Sequence, residues 1–241
     1  MLQAPPPSQY DLVFYIRGIR VRVHPLFWLL AVFLGYSAGD PVSILIWVVA
    51  VFVSILIHEL GHVIAMRRYG GDGSIVLYHF GGLAIPNRSY GTSHNEQIMI
   101  SLAGPTAGFL FAALILMVAQ AVGGFVSWGS PDSFFSIPSA YIYQAPDRVN
   151  ELIWQLLWIN IGWGMFNLLP VYPLDGGQVT RHVWVQLNPR NGAEYSLQLS
   201  IVVGTLAGLA SYLYLDSIFM AFMFGSLAYQ SYQLMSYGGY R

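Results

Sequence analysis

SILIHELGHVIAM, residues 54–66, carries two histidines and a glutamate inside an apolar run that extends from about residue 41 to 66. Such a run exceeds the roughly 20 apolar residues needed to cross the hydrocarbon of a bilayer, so the stretch reads as a transmembrane helix. An ionised side chain placed there costs on the order of 2–3 kcal/mol, and groups kept at that cost face an internal cavity and serve function. Four residues turn a helix by about 400°, so His58 and His62 point the same way one turn apart, as two ligands of one metal must. Glu59 lies about 100° round from His58, close enough to hold a water at that metal and take its proton.

The rest of the chain agrees with a membrane setting. Of 241 residues 56% are hydrophobic and 9% charged, whereas a soluble domain carries about a quarter charged residues. Further apolar runs at about 25–38, 98–122, 149–170, 196–215 and 217–236 bring the count to about six spans. The fold class expected is an all-α polytopic membrane protein with a small membrane-associated β-hairpin or strand element. Residues 1–24 read as an N-terminal cytoplasmic tail and strand, 25–236 as a single membrane-embedded domain, and 237–241 as a C-terminal tail. The opening residues lack the basic n-region and immediate apolar h-region of a secretory signal, so the N-terminus is expected to stay in the mature protein.

Charge sets an orientation. With six spans, Arg17, Arg20, Arg22, Arg67, Arg68, Arg88, Arg181, Arg190 and Arg241 fall on one side and Arg148 alone on the other. The positive-inside rule makes the crowded side cytoplasmic, with both termini and the chemical end of the second span there, in a multi-pass protein of the cell membrane. The connection from about Gly123 to Asp147 then faces outside. Gly73 to Pro86, GSIVLYHFGGLAIP, alternates like a hairpin with Gly81-Gly82 at its bend, and is apolar enough to dip into the membrane from the cytoplasmic side. A formal net charge of -1 with no basic tract excludes nucleic acid as a partner. The absence of cysteine excludes disulfides and thiolate zinc sites, leaving imidazole and carboxylate to hold a metal.

Catalytic zinc has three protein ligands and an open position, so a third ligand is expected elsewhere in the chain. Asp175 is the only acidic residue of FNLLPVYPLDGGQVTRHVW, residues 166–184, and it emerges at the same membrane end as His58 and His62. Pro170 and Pro173 forbid a regular helix, and Gly176-Gly177 permits unusual backbone angles, so this segment can turn a carboxylate back toward a metal. His182 is the substitute should Asp175 not serve. His24, His79 and His94 read as interfacial or surface residues.

HELGH at 58–62 and NLLPVYPLDG at 167–176 together resemble the site-2 protease family of intramembrane metalloproteases, whose hallmarks are HExxH and N-x-x-P-x-x-P-L-D-G. Further likeness lies in IRVRVHPLFWLL at 19–30, the glycine pair 81–82 and SLAGPTAGF at 101–109. The resemblance implies that His58, His62 and Asp175 bind zinc, that Glu59 is catalytic, and that Asn167 helps position the substrate strand or the oxyanion. It implies a minimal form without a PDZ-like or CBS-like domain, acting on a single-span membrane protein. A substrate helix must be unwound before attack, and a strand edge near the metal can hold the unwound segment by strand addition. The hairpin 73–86, with Gly81 and Gly82, is expected to do this. Gly104, Pro105 and Gly108 give the third span a small-residue surface suited to close helix approach.

Two other classes compete. A zinc-bearing membrane scaffold would not need Glu59, because a structural site needs no base and is closed by four ligands. A metal transporter would spread acidic and histidine residues along several spans, whereas here they gather at one membrane end. Two imidazoles and a carboxylate suit zinc best, although cobalt or iron fits the same donors.

Overall fold

The computed structural model describes residues 5–36, 39–79, 81–87, 91–128 and 137–238. Arg88 and Arg241 of the charge pattern, Phe80 of the hairpin, the tail residues 1–4 and 239–241, and 129–136 of the outer connection lie outside the described residues. The chain is mostly helical and divides into two compact units, one of residues 3–90 and 103–165, the other of 1–2, 91–102 and 166–241.

The first unit is built on a four-stranded sheet in chain order, β1 (Leu12–Ile16), β2 (Ile19–Val23), β3 (Gly73–Tyr78) and β4 (Gly81–Pro86). The β1–β2 and β3–β4 pairs are antiparallel and β2–β3 is parallel. Arg17 and Gly18 both take positive φ, 47° and 79°, as a two-residue hairpin turn requires. Alternate residues share a face of a strand, and Val21, Val23, Ile75 and Leu77 are fully buried. They pack with Phe27 of α1 (Pro25–Gly35) and with Ile55 and Val63 of α2 (Pro41–Arg68). Tyr78 pairs with Gly81 across β3–β4, so the bend precedes the glycine pair, and Gly81 and Gly82 open the returning strand.

α2 is delimited as its sequence prescribes. The Asp40 carboxylate accepts from the N–H groups of Val42 and Ser43, Pro41 occupies the first turn, and Arg67 and Arg68 lie in the last, where each complements the helix ends. Its 28 residues extend about 42 Å. α3 (His94–Ala121) contains Pro105 in its interior and contributes residues from 103 onward to this unit. Three-residue strands β5 (Phe125–Ser127) and β6 (Ser139–Tyr141) pair within the connection that follows α3. α4 (Asp147–Trp158) runs through a π-helical stretch, Ile159–Trp163, into the short α5 (Gly164–Asn167).

In the second unit α6 (Asp175–Leu187), α7 (Gly192–Leu215) and α8 (Ile218–Ser236) join the first turns of α3. Val171, Phe224 and Leu227 form its core.

Among the described residues three helices are long and apolar enough to cross a membrane: α2, α3 and α7. The expected count of about six is not reached on those terms. α1 has 11 residues, about 16 Å against about 30 Å of hydrocarbon. The run at 149–170 carries Asn150, Glu151, Gln155, Asn160 and Asn167, and α8 mixes Tyr, Gln and Ser into its second half.

The opening residues 5–11 are strapped to the sheet. The Arg22 guanidinium donates to the carbonyls of Pro5 and Pro6 at 2.8 and 3.3 Å and pairs with Asp11 at 2.8 Å, with both charged side chains buried. Burial alone would raise the Asp11 carboxyl; its bonds to Arg22 and to the Ser8 N–H outweigh burial and hold it below the usual carboxylate value. A carboxyl lowered in the folded state stabilises above its unfolded pKa of about 3.9 and loses that contribution as pH falls through the folded value. Asp11→Asn is therefore expected to lower stability by about 1–3 kcal/mol at neutral pH. The deficit narrows as pH falls below the unfolded carboxyl value of about 3.9 and through the lower folded one, as read by thermal unfolding in detergent against pH.

Candidate metal and catalytic site

His58, Glu59 and His62 are buried on α2, and each offers a ligand atom within 4.8 Å of the others. The two Nε2 atoms stand 3.2 Å apart, with the rings edge to face at 4.9 Å between centroids. Two nitrogens about 2.05 Å from one tetrahedral ion are about 3.3 Å apart, so the pair is already at chelating separation.

What keeps the nitrogens accessible is glycine on the neighbouring helix. A Cβ on Gly104 of α3 would overlap the His62 ring and stand 2.7 Å from His58 Nε2. On α2, a Cβ on Gly61 would overlap the Ala103 carbonyl and stand 2.8 Å from the Ala107 methyl. The helices thus meet backbone to backbone, as small residues allow, and Gly104 puts no side chain against the imidazoles. The donor set of two imidazoles and a carboxylate fits a divalent ion such as zinc.

Glu59 is covered from another direction. A Cβ on Gly82 of β4 would overlap the Glu59 Cγ and Oε1, so the hairpin backbone lies against the carboxylate. Gly81 takes φ 114°, and the site of its missing Cβ is 3.8 Å from the Trp163 ring of the π-helical stretch. Burial, and after it the Glu59 charge, push the Tyr78 phenol upward. Asn160, also in the π-helical stretch and buried, donates from Nδ2 to Ser54 Oγ and to the Leu156 carbonyl, each at 2.8 Å. Ser54 lies one turn before His58, so this bond fixes the rotation of α2 that presents the histidines. Tyr78, Trp163 and Asn160 were not read from the sequence. A polar residue within an apolar run is the signal that marks Asn160.

Asp175 and Asn167 belong to the second unit. Asn167 closes α5 and is buried; Asp175 opens α6, at the positive end of that helix. Residues 168–174 between them are non-helical. Gly176 and Gly177 lie directly on the backbone of Leu168–Leu169 and Val171–Tyr172, where any Cβ would collide. The Tyr172 N–H donates to Ser200 Oγ at 3.0 Å, and Ser231 Oγ donates to the Tyr172 carbonyl at 3.4 Å. α7 and α8 thereby brace the loop leading to Asp175. The expected site residues fall into His58, Glu59, His62, Gly81 and Gly82 in one unit, and Asn167 and Asp175 in the other. Elsewhere His24 caps α1 through Nδ1, accepting from the Leu26 N–H at 3.2 Å, and His94 meets His182.

A buried HExxH pair on a membrane-length helix, with glycine backbone against it, is the pattern that zinc metallopeptidases use to bind their metal. The chain belongs to peptidase family M50, whose model matches residues 46–210. A zinc metalloprotease of Methanocaldococcus jannaschii is 28% identical over 207 residues, covering 84% of this chain and 52% of that protein. Stage IV sporulation protein FB of Bacillus subtilis is 25% identical over 162 residues, covering 67% of this chain and 46% of that protein. The chain thus spans about half the length of these relatives. The solved site-2 protease from Methanocaldococcus jannaschii shares the fold, with a TM-score of 0.58 and 23% identity over 94% of this chain and 95% of that one.

The two glycines separate metal holding from catalysis. Gly104→Ala is expected to weaken metal binding about 5- to 150-fold, as overpacking by about 1–3 kcal/mol would. Gly82→Ala, which displaces Glu59 but neither imidazole, is expected to keep the metal. Metal content after dialysis against a graded chelator checks both.

Proposed function

We propose that this protein is an intramembrane zinc metalloprotease that hydrolyses a peptide bond in or near the transmembrane segment of a single-span membrane protein. The observation that carries the reading is the His58–His62 pair at chelating separation with Glu59 beside it, on a helix long and apolar enough to cross a bilayer. Family membership and the relatives' names support zinc and proteolysis. In this reading His58 and His62 are two ligands, and Asp175, delivered by the braced loop after α5, is the third. A zinc ion bound there supplies Lewis acidity and lowers the pKa of a water from about 15.7 to about 7. Glu59 holds that water, takes its proton as general base, and returns it to the leaving amine.

The hairpin gives the unwound substrate a place. β4 is the last strand of its sheet and opens at Gly82 against Glu59, so a segment added along its free edge is led to the catalytic carboxylate. Gly81 and Gly82 let the substrate backbone approach, and Asn167 serves to orient the strand or the oxyanion with its amide. About six spans, counting the shorter and more polar helices, would place both termini and the catalytic end on the cytoplasmic face of the cell membrane.

The test compares wild type, Glu59→Gln and Asp175→Ala for metal content and for cleavage of tagged single-span substrates in lipid. Glu59→Gln is expected to keep about one zinc and lose cleavage by at least about 100-fold, the scale of general-base catalysis; Asp175→Ala is expected to lose both. Cleavage that survives Glu59→Gln would overturn the mechanism.

A further inference from the structure

The catalytic pair is not the sole place where two imidazole nitrogens converge. At the N-terminus of α3, His94 Nδ1 stands 2.9 Å from His182 Nδ1 of α6, with ring centroids 5.2 Å apart and the planes inclined at 48°. Both residues belong to the second unit. They come from elements 88 residues apart in sequence, so tertiary structure rather than helical periodicity brings them together. A second bond holds the register: Gln186 Nε2 donates to Asn95 Oδ1 at 2.8 Å. Gln186 is one turn beyond His182 on α6 and Asn95 is next to His94, so the two contacts fix α6 against the first turn of α3 side by side.

We infer that His94 and His182 form a second divalent-metal site, separate from the catalytic one and selective for ions that favour imidazole: zinc, nickel or copper. Two nitrogens about 2.05 Å from one ion are about 2.9 Å apart at a right angle and about 3.3 Å apart at the tetrahedral angle. The observed 2.9 Å needs little movement for either, and fits the right-angled pair of an octahedral or tetragonal ion best. His94 is exposed and His182 half-buried, leaving the remaining positions to water; the ion is therefore exchangeable, unlike one enclosed by three protein ligands.

Of the charged groups nearby, Arg181 stacks over the Tyr172 ring at 5.6 Å. Glu96 accepts the Ser93 N–H at 2.8 Å and adds negative charge in the same turn of α3. Without an ion, one imidazole donates its Nδ1–H to the other. With an ion, that shared proton is displaced and α6 is clamped to α3 by two coordinate bonds. The inference does not depend on protease activity.

The experiment titrates zinc, and in parallel nickel, into the chelator-stripped full chain in detergent micelles. Wild type, His94→Ala, His182→Ala and His58→Ala are compared, each first checked for a cooperative metal-free melt. Wild type is expected to take two equivalents, one resistant to chelator and one weaker. The weaker one should vanish in His94→Ala and in His182→Ala and persist in His58→Ala. Copper added to His58→Ala should give a spin-resonance spectrum with coupling to two imidazole nitrogens, reduced to one by either surface substitution. Absence of the weaker, chelator-sensitive equivalent in wild type, or its survival in His182→Ala with two-nitrogen coupling, would overturn the site. Loss of the chelator-resistant equivalent alone bears on the catalytic reading and leaves this one standing.

Discussion

The close approach of α2 and α3 at Gly61, Ala103 and Gly104 is the contact on which the first unit depends. In a bilayer no hydrophobic gain drives two apolar helices together, so packing of small residues has to do it. Here that packing has a second effect. Because backbone rather than side chains fills the crossing, the imidazoles of His58 and His62 are confined but not occluded. The glycine inside HELGH is therefore a packing residue, placed by the same turn of helix that carries the two histidines.

Around that crossing the polar groups support one another. Ser54 and Asn160 tie α2 to the π-helical stretch, where the displaced backbone register brings an amide side chain to a helix it would otherwise miss. The sheet packs its apolar face on α1 and α2 and sends β4 across Glu59. In the second unit, serines on α7 and α8 hold the backbone of Tyr172, and Gly176-Gly177 lets α6 start directly on top of the loop.

How much of this the sequence could reveal follows the range of each interaction. Helical periodicity is local, so the facing of His58 and His62, the position of Glu59 and the extent of α2 were legible. Strand alternation located β3 and β4 but misplaced the bend, because periodicity does not tell where pairing stops and Tyr78 pairs as far as Gly81. β5 and β6, at three residues each, are too short for any period to register. Length and composition alone settle three of the expected spans among the described residues: α1 ends after 11 residues, and the run at 149–170 is punctuated by amides. Tyr78, Trp163 and Asn160 acquire meaning only through distant partners, as does the meeting of His94 with His182.

The glycine roof over Glu59 and the two histidines has a consequence for how the site tolerates change. In most enzymes a pocket can be enlarged or reduced by exchanging its side chains. At these positions there is no side chain left to remove, so substitution can only fill space. Variation at residues 82 and 104 is consequently one-directional, and any broadening of what the protein accepts has to come from walls farther out.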